Sequence, residues 1–408
     1  MTLYLFDDAQ ARDWTPFATT RPVGELLLGC LLLRERAERF WETECAGALV
    51  DRDLAGFAEA GTPPIFHDVP VPSDEPLILF SSRAAPNLVA APLPLPSMET
   101  TAKLMIGDEP VGWIVPPGAA PPSIGDLMSP DTATPEAPIV QIKGNVVGRP
   151  WDLIAMNGAQ IREDMPALST GGHSSIPEGV HCVGAEQISL GHGVHLEPGV
   201  VLDASNGPIH LSDNVEVRAF TRLAGPAFVG EGTRLLGGAF EAVSIGPHCK
   251  IRGEVGSSVV LGYSNKAHDG YLGHSYLGKW VNLGALTTTS DLKNTYGTVR
   301  APTPEGLVDT GLQKIGSMIG DHAKTGIGTM LSTGSVIGAG SNLFGDVMPP
   351  RSVPPFTWGG AGTALEEYDL ERFLAVAERT MGRRSVTLRD EDRTLLSRAW
   401  EKTRPDRS

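Results

Sequence analysis

Cysteine is sparse in this chain and carries no pattern. The four residues, Cys30, Cys45, Cys182 and Cys249, include no Cys-x-x-Cys pair, so neither a zinc knuckle nor a disulfide framework is suggested. A basic run is missing as well. The formal net charge is −15, and phosphate backbones are held by clustered Lys and Arg, so no nucleic-acid partner is expected; a small anionic substrate stays admissible if local cations collect it. Long apolar runs are also lacking. The stretch from Val23 to Leu33 is too short to span a bilayer, and the N-terminus has neither the basic start nor the apolar core of a signal peptide. The expectation is a cytoplasmic protein with no membrane partner and reduced cysteines.

What the chain does have is a repeat. An aliphatic residue followed by Gly or another small residue recurs at Leu190-Gly191, Leu211-Ser212, Val229-Gly230, Ile245-Gly246, Leu261-Gly262, Leu277-Gly278, Ile319-Gly320 and Ile337-Gly338. Most of these steps lie roughly 16 to 18 residues apart, about three hexapeptides, which is the spacing of a solenoid coil that turns three corners. Each aliphatic residue points into a narrow prism, and the small residue after it takes the corner, where a positive φ or a close approach is needed. The pattern predicts a left-handed parallel β-helix.

The 408 residues, 20% of them charged, are too many for one ordinary domain and have a globular composition. Residues 1–165 read as an α/β domain, with a strand at Leu3 to Phe6, an apolar helix from about Val23 to Phe40 and a strand at Leu77 to Phe80. A Pro-, Ala-, Ser- and Thr-rich segment at about 116–138 reads as a loop. Residues 166–355 hold the β-helix, the repeats beginning near Gly179 and fading near Pro349. Residues 356–408 read as helical, with spacing from Ala364 to Arg379 and a second helix over Asp390 to Lys402 that cap the solenoid end or pack on a neighbour.

The stretch from Ser264 to Arg300 sets chemically capable groups inside this frame. His268 suits a general base, because an imidazole titrates near working pH; a surface histidine is the plain alternative. Lys266 and Lys293 are candidate phosphate cations or merely solvated lysines. His192 and His195 form a His-x-x-His pair with His181 nearby, but successive residues on a β-coil point in different directions, which disfavours a three-histidine zinc site.

Lys266-Ala267-His268, the following Tyr271-Leu272-Gly273 and Val281-Asn282-Leu283-Gly284-Ala285, with Ile319-Gly320-Asp321-His322-Ala323-Lys324-Thr325-Gly326 beyond, closely resemble the acetyltransferase half of the GlmU family of bifunctional sugar-1-phosphate enzymes. That resemblance implies His268 as catalytic base, Tyr271 and Asn282 as hydrogen-bonding partners of the sugar phosphate, and Ala285, Thr325 and Gly326 as the backbone that meets acetyl-CoA. It also implies a homotrimer with the acyl-donor groove between neighbouring prisms. Two departures stand out: the family's Asn that orients the reacting amine is Asp291 here, and its phosphate-holding Arg and Lys fall near Gly238 and Gly256.

Leu5-Phe6-Asp7-Asp8, Thr20-Arg21-Pro22-Val23-Gly24-Glu25-Leu26 and Arg149-Pro150-Trp151-Asp152-Leu153, with Asn157 beyond, resemble a divergent nucleotidyltransferase-like branch of the same family. The usual Gly-rich phosphate cradle after the first strand is replaced by Asp7-Asp8-Ala9-Gln10, which repels phosphate unless Mg²⁺ intervenes. Asp7 and Asp8 are therefore candidate Mg²⁺ ligands and Arg21 a candidate substitute cation; a solvated strand end and a structural ion pair are the alternatives. The expected activity is acetyl-CoA-dependent N-acetylation of glucosamine-1-phosphate or a related amino-sugar phosphate. UTP-dependent uridylyl transfer to UDP-N-acetylglucosamine is a possible second step, and a non-catalytic regulatory paralogue is the competing reading.

Overall fold

The computed structural model describes residues 1–71, 74–89, 100–131, 134, 136–168, 176–345, 348–359 and 365–407. The N-terminal part is built on a seven-stranded sheet. Its strands are β1 (Thr2–Phe6), β2 (Cys45–Leu49), β3 (Ile65–Phe66), β4 (Leu77–Ser81), β5 (Ala102–Ile106), β6 (Glu109–Val115) and β7 (Ile139–Gln141), in the order β7-β5-β6-β4-β1-β2-β3. β1 runs parallel to both β2 and β4, and β6 runs antiparallel to β4 and β5. β4 is buried along its whole length, which is why it reads as an unbroken apolar run.

The expected helix from Val23 to Phe40 is corrected. Val23–Glu25 forms only a 3-10 turn and α1 (Leu33–Trp41) the one α-helix there, while Leu27–Leu28 pairs with Leu31–Leu32 as a small antiparallel ribbon. Gly29, at φ +65°, makes the turn, and a Cβ there would lie 2.3 Å from an Asp164 carboxylate oxygen. The leucines are apolar because both sides of the ribbon are buried, a pattern that imitates a helical stripe. Within the segment read as a loop, Ile124–Met128 forms a short helix capped by Ser123.

The solenoid runs from His181–Val183 to Thr357–Gly359. Its strands stack in parallel on three faces, and the inward positions, such as Leu223, Val243, Ile251 and Leu277, form one continuous core. The long strand Thr221–Val229 crosses one corner and belongs to two faces, and Arg234–Ile245 crosses two corners and pairs on all three. A non-glycine residue with positive φ recurs at one corner, at His248, Tyr263, Trp280, His322 and Phe356. Most coils repeat at the expected interval, but Leu277 stacks on Ile319. The extra chain between them is an excursion holding the hairpin Arg300–Thr303 and Gly306–Asp309.

The two halves share a core. Trp14, Phe17 and Leu28 pack against Val259, Tyr276 and Met318 on one outer face of the solenoid, together with Val299 and Ile315 of the excursion. The Tyr276 hydroxyl accepts from Leu27 N at 2.8 Å and donates to Leu27 O at 3.2 Å. α2 (Asn157–Leu168), which crosses the expected boundary between the halves, donates from Arg162 to the Asn206 carbonyl at 2.7 Å.

Helix α3 (Leu370–Gly382) begins later than expected, Ala364 lying outside the described residues, while α4 (Asp390–Lys402) has the expected bounds. They do not cap an end. Phe373, Leu388 and Trp400 pack on Phe57, Trp280 and Phe356, along the positive-φ corner and against the N-terminal part.

Candidate active site

Lys266 shows how the frame builds its best candidate. It is in register with Ile251, at an inward position where neighbouring coils carry Val217, Leu235 and Leu283. Its stem takes the place of an aliphatic side chain. The ammonium donates to the carbonyls of Arg252 at 2.8 Å and His268 at 3.0 Å, and burial pushes it down to about 8. The expectation of a free phosphate cation at Lys266 is therefore corrected: its charge is enclosed by carbonyls, and it pins the peptide of His268. His268 stands exposed on that corner, and no described residue hydrogen-bonds its ring.

Tyr271 begins the next strand. Its hydroxyl donates to Asp291 Oδ2 at 2.8 Å, and the same oxygen lies 2.7 Å from His274 Nδ1. Burial first, and then the Asp291 carboxylate, raises the Tyr271 phenol. Gly273 leaves the space for this cluster, since a Cβ there would lie 2.1 Å from the Tyr271 hydroxyl oxygen. Asp291 is buried at the neck of the excursion, where its carbonyl accepts from Ile315 N at 2.9 Å. His274 was not singled out by motif spacing; its signal is its place directly after Tyr-Leu-Gly.

Asn282 is bridged to Asn265 and Lys324 on adjacent coils and accepts from Asn265 Nδ2 at 3.4 Å, as a rung of an internal ladder does. Ala285 is partly exposed, and its N–H has no partner among the described residues. Thr325 is buried, its hydroxyl 2.7 Å from that of Thr287, and the Gly326 N–H donates to Leu343 O at 2.7 Å. Lys293 is half-buried and donates to the Thr298 carbonyl within the excursion.

The N-terminal candidates have internal partners. Asp7 accepts from Val23 N at 3.1 Å and from the Ser82 hydroxyl at 2.5 Å, and burial pushes its carboxyl up to about 6. Asp8 caps the turn at Ala11 N and pairs with Arg83 at 2.6 Å. Carboxyls held this way do not fit a Mg²⁺ site, and no group of three or more metal-ligating side chains occurs among the described residues. The metal expectation for Asp7 and Asp8 is corrected accordingly, and His181, His192 and His195 do not gather. Arg21 is buried between Asp321, at 2.8 Å, and Glu59, at 3.1 Å. Those two carboxylates neutralise it, which corrects the substitute-cation expectation.

Arg21 does line a cleft of about 1840 Å³ between the N-terminal part, the solenoid and the C-terminal helices. Its lining carries nine carboxylates, Glu35, Glu38, Glu42 and Glu44 among them, against the four cations Arg21, Arg39, Lys279 and Arg389, so its net charge opposes a phosphate. No described helix is long and apolar enough to cross a membrane.

Residues 3–173 match the family model of sugar nucleotidyl transferases. The chain is 33% identical over 144 residues to the bifunctional protein GlmU of Rippkaea orientalis, covering 34% of this chain and 26% of that protein. It is 27% identical over 209 residues to the bifunctional protein GlmU of Methanococcus vannielii, covering 51% and 45%. It is also 31% identical over 100 residues to the bifunctional sugar-1-phosphate nucleotidylyltransferase/acetyltransferase of Sulfurisphaera tokodaii, covering 24% and 25%. The chain thus spans less than half the length of these relatives. An Arabidopsis UDP-N-acetylglucosamine acyltransferase structure aligns with 52% of this chain and 80% of its own at 13% identity and a TM-score of 0.26.

Proposed function

We propose that this GlmU-like chain transfers an acetyl group from acetyl-CoA to the amine of glucosamine-1-phosphate or a related amino-sugar phosphate. The observation that carries the reading is the exposed, unpartnered imidazole of His268 on a peptide pinned by Lys266, with the free N–H of Ala285 on the next coil. The neutral amine attacks the thioester carbonyl carbon, the N–C bond forms, and the C–S bond breaks with CoA leaving as thiolate. His268 takes the proton that the nitrogen loses and returns it to the thiolate. Ala285 N–H is placed to donate to the thioester oxygen as negative charge builds there. Tyr271 and Asn282 would face the sugar phosphate, and Lys293 would be the candidate lysine for its charge. Asp291, held by Tyr271 and His274, would orient the amine in place of an amide.

Acetyl-CoA would lie along a groove beside Ala285, Thr325 and Gly326. Leu286, Ile327 and Met330 are exposed large apolar side chains on this part of the solenoid, 59%, 77% and 51% accessible, and suit contact with a second prism in a homotrimer. For uridylyl transfer from UTP the support is weaker, because Asp7, Asp8 and Arg21 have internal partners. That favours a structural role for the N-terminal part in this protein, and a soluble, cytoplasmic setting completes the reading.

The test is CoA release from acetyl-CoA and glucosamine-1-phosphate, measured for the protein and for His268→Ala. Release that His268→Ala abolishes supports the assignment. Equal release from both sinks the base, and no release with any amino-sugar phosphate sinks the activity.

A further inference from the structure

Apart from the candidate active site, one pocket gathers three cations of which only Arg234 has a carboxylate partner among the described residues. It encloses about 190 Å³ and is lined by Gly232, Arg234, His248, Lys250, Tyr263 and Arg384. Its floor is the outer face of three consecutive coils, because Arg234, Lys250 and Asn265 are in register one above the other. Its lid is the chain just after α3, which brings in Arg384. Gly232 is needed for its shape: a Cβ there would lie 2.6 Å from His248 Nδ1. Tyr263 adds an aromatic wall, tilted between His248 and Trp280 with ring centroids 5.0 and 4.5 Å away.

The electrostatics of this pocket differ from those elsewhere in the chain. Arg21, Arg34, Arg36 and Arg83 are buried, and each has a carboxylate at 2.6–2.8 Å. In the pocket only Arg234 has one, Glu216 at 2.9 Å. Arg384 donates instead to the neutral Asn265 Oδ1 at 2.6 Å, and the Lys250 ammonium has no partner among the described residues. Burial first, and then Arg384, Arg234, Arg383 and Arg218, push the Lys250 ammonium below its ordinary value; burial, Arg383 and Arg234 do the same to Arg384. A protein of net charge −15 that concentrates mutually repelling cations in a concave, partly desolvated site has a place for an anion.

We infer that this pocket binds the phosphate group of a small molecule, through the Lys250 ammonium and the Arg384 and Arg234 guanidiniums, with Tyr263 beside the group that carries the phosphate. Guanidinium suits the planar, bidentate recognition of phosphate oxygens, and Lys250 supplies a point charge. The volume admits a phosphate and a ring-sized substituent. Arg384 also connects the pocket through Asn265 to Asn282, so an occupant that draws Arg384 inward would alter the ladder beside the candidate active site. The inference does not depend on acetyl transfer.

Titration calorimetry on the full chain with inorganic phosphate, and separately with glucose-1-phosphate, at matched ionic strength tests it. The expected result is saturable binding that weakens about ten- to hundredfold in Lys250→Met and in Arg384→Met and recovers in Lys250→Arg. Tighter binding of glucose-1-phosphate would make the ligand a phosphate ester, and tighter binding of inorganic phosphate would make it the free ion; either supports the site. Absence of saturable binding by the unmodified protein, or binding unchanged in both methionine variants, overturns it.

Discussion

The chain treats charge in two opposite ways, and the division follows its architecture. Within the N-terminal part, Arg36 and Arg83 are buried against Asp164 and Asp8, and at its junction with the solenoid Arg21 is buried against Asp321. Beside the prism corner, Lys250 and Arg384 line one pocket with no carboxylate partner among the described residues, and further along the coils His268 stands exposed with no ring partner among them. A paired charge in a buried junction holds elements in register, and removing one member leaves the other desolvated. An unpaired group on a rigid frame is free to meet a ligand. The comparison therefore separates residues that sequence motifs alone group together: Arg21 is held between carboxylates inside the fold, and His268 is left open to solvent.

Four substitutions would break or sharpen that contrast. The largest effect is expected at His268, where His268→Ala should lower the rate of CoA release by about 10²–10⁴-fold while leaving the thermal midpoint unchanged; steady-state kinetics beside a melting curve read both. Arg36→Met should do the reverse. It strands Asp164, whose two oxygens lie 2.6 and 2.7 Å from the guanidinium, and should cost about 3–5 kcal/mol in a urea titration with little change in the Michaelis constant of the folded fraction.

Lys266 gives a pH-dependent effect. Its ammonium sits at about 8 when folded against an ordinary 10.5. Between those values the unfolded chain binds a proton that the folded chain has released, so this group makes stability rise with pH across that window, and below about 8 it burdens the fold in its charged form. Lys266→Met should remove that rise, seen as a flattened dependence of the urea midpoint on pH from 8 to 10.5. The smallest effect, and one of opposite sign to that at Arg36, is expected at Lys250. Without ligand, Lys250→Met relieves repulsion and should leave the melting temperature unchanged or slightly raised, within about 0.5 kcal/mol; a clear fall would place Lys250 with the structural charges.

Most of the frame was legible because it repeats. An aliphatic residue and a small one at a fixed interval leave few alternatives to a β-helix, and the bounds of α4 could be read from its spacing. The ribbon at Leu27 to Leu32 was misread because double-sided burial erases the difference between helical and strand periodicity. His268 was visible as a type and a spacing, but the inward register of Lys266 was not, since a lysine in a core column looks like any other lysine in the string. His274 and its 2.7 Å contact with Asp291 join residues far apart in the chain, and the cation pocket joins Arg234 to Arg384. Pairings over such separations exist only once the coils and α3 are in place.

The excursion between residues 292 and 314 has a consequence for how this protein can change length. It leaves and re-enters the coil at one point, where the Asp291 carbonyl accepts from Ile315 N, and the coils on either side keep their stacking of Leu277 on Ile319. Chain can therefore be added at the hairpin turn between Thr303 and Gly306 with little more than a change in loop-closure entropy, which grows slowly with length, whereas Val299 and Ala301 fix the base of the excursion in the shared core. Because Asp291 also accepts from Tyr271 and lies beside His274, it ties the neck of the excursion to the candidate active site. Related sequences that differ most in length at this point would be the place to look for a different substrate on the same frame.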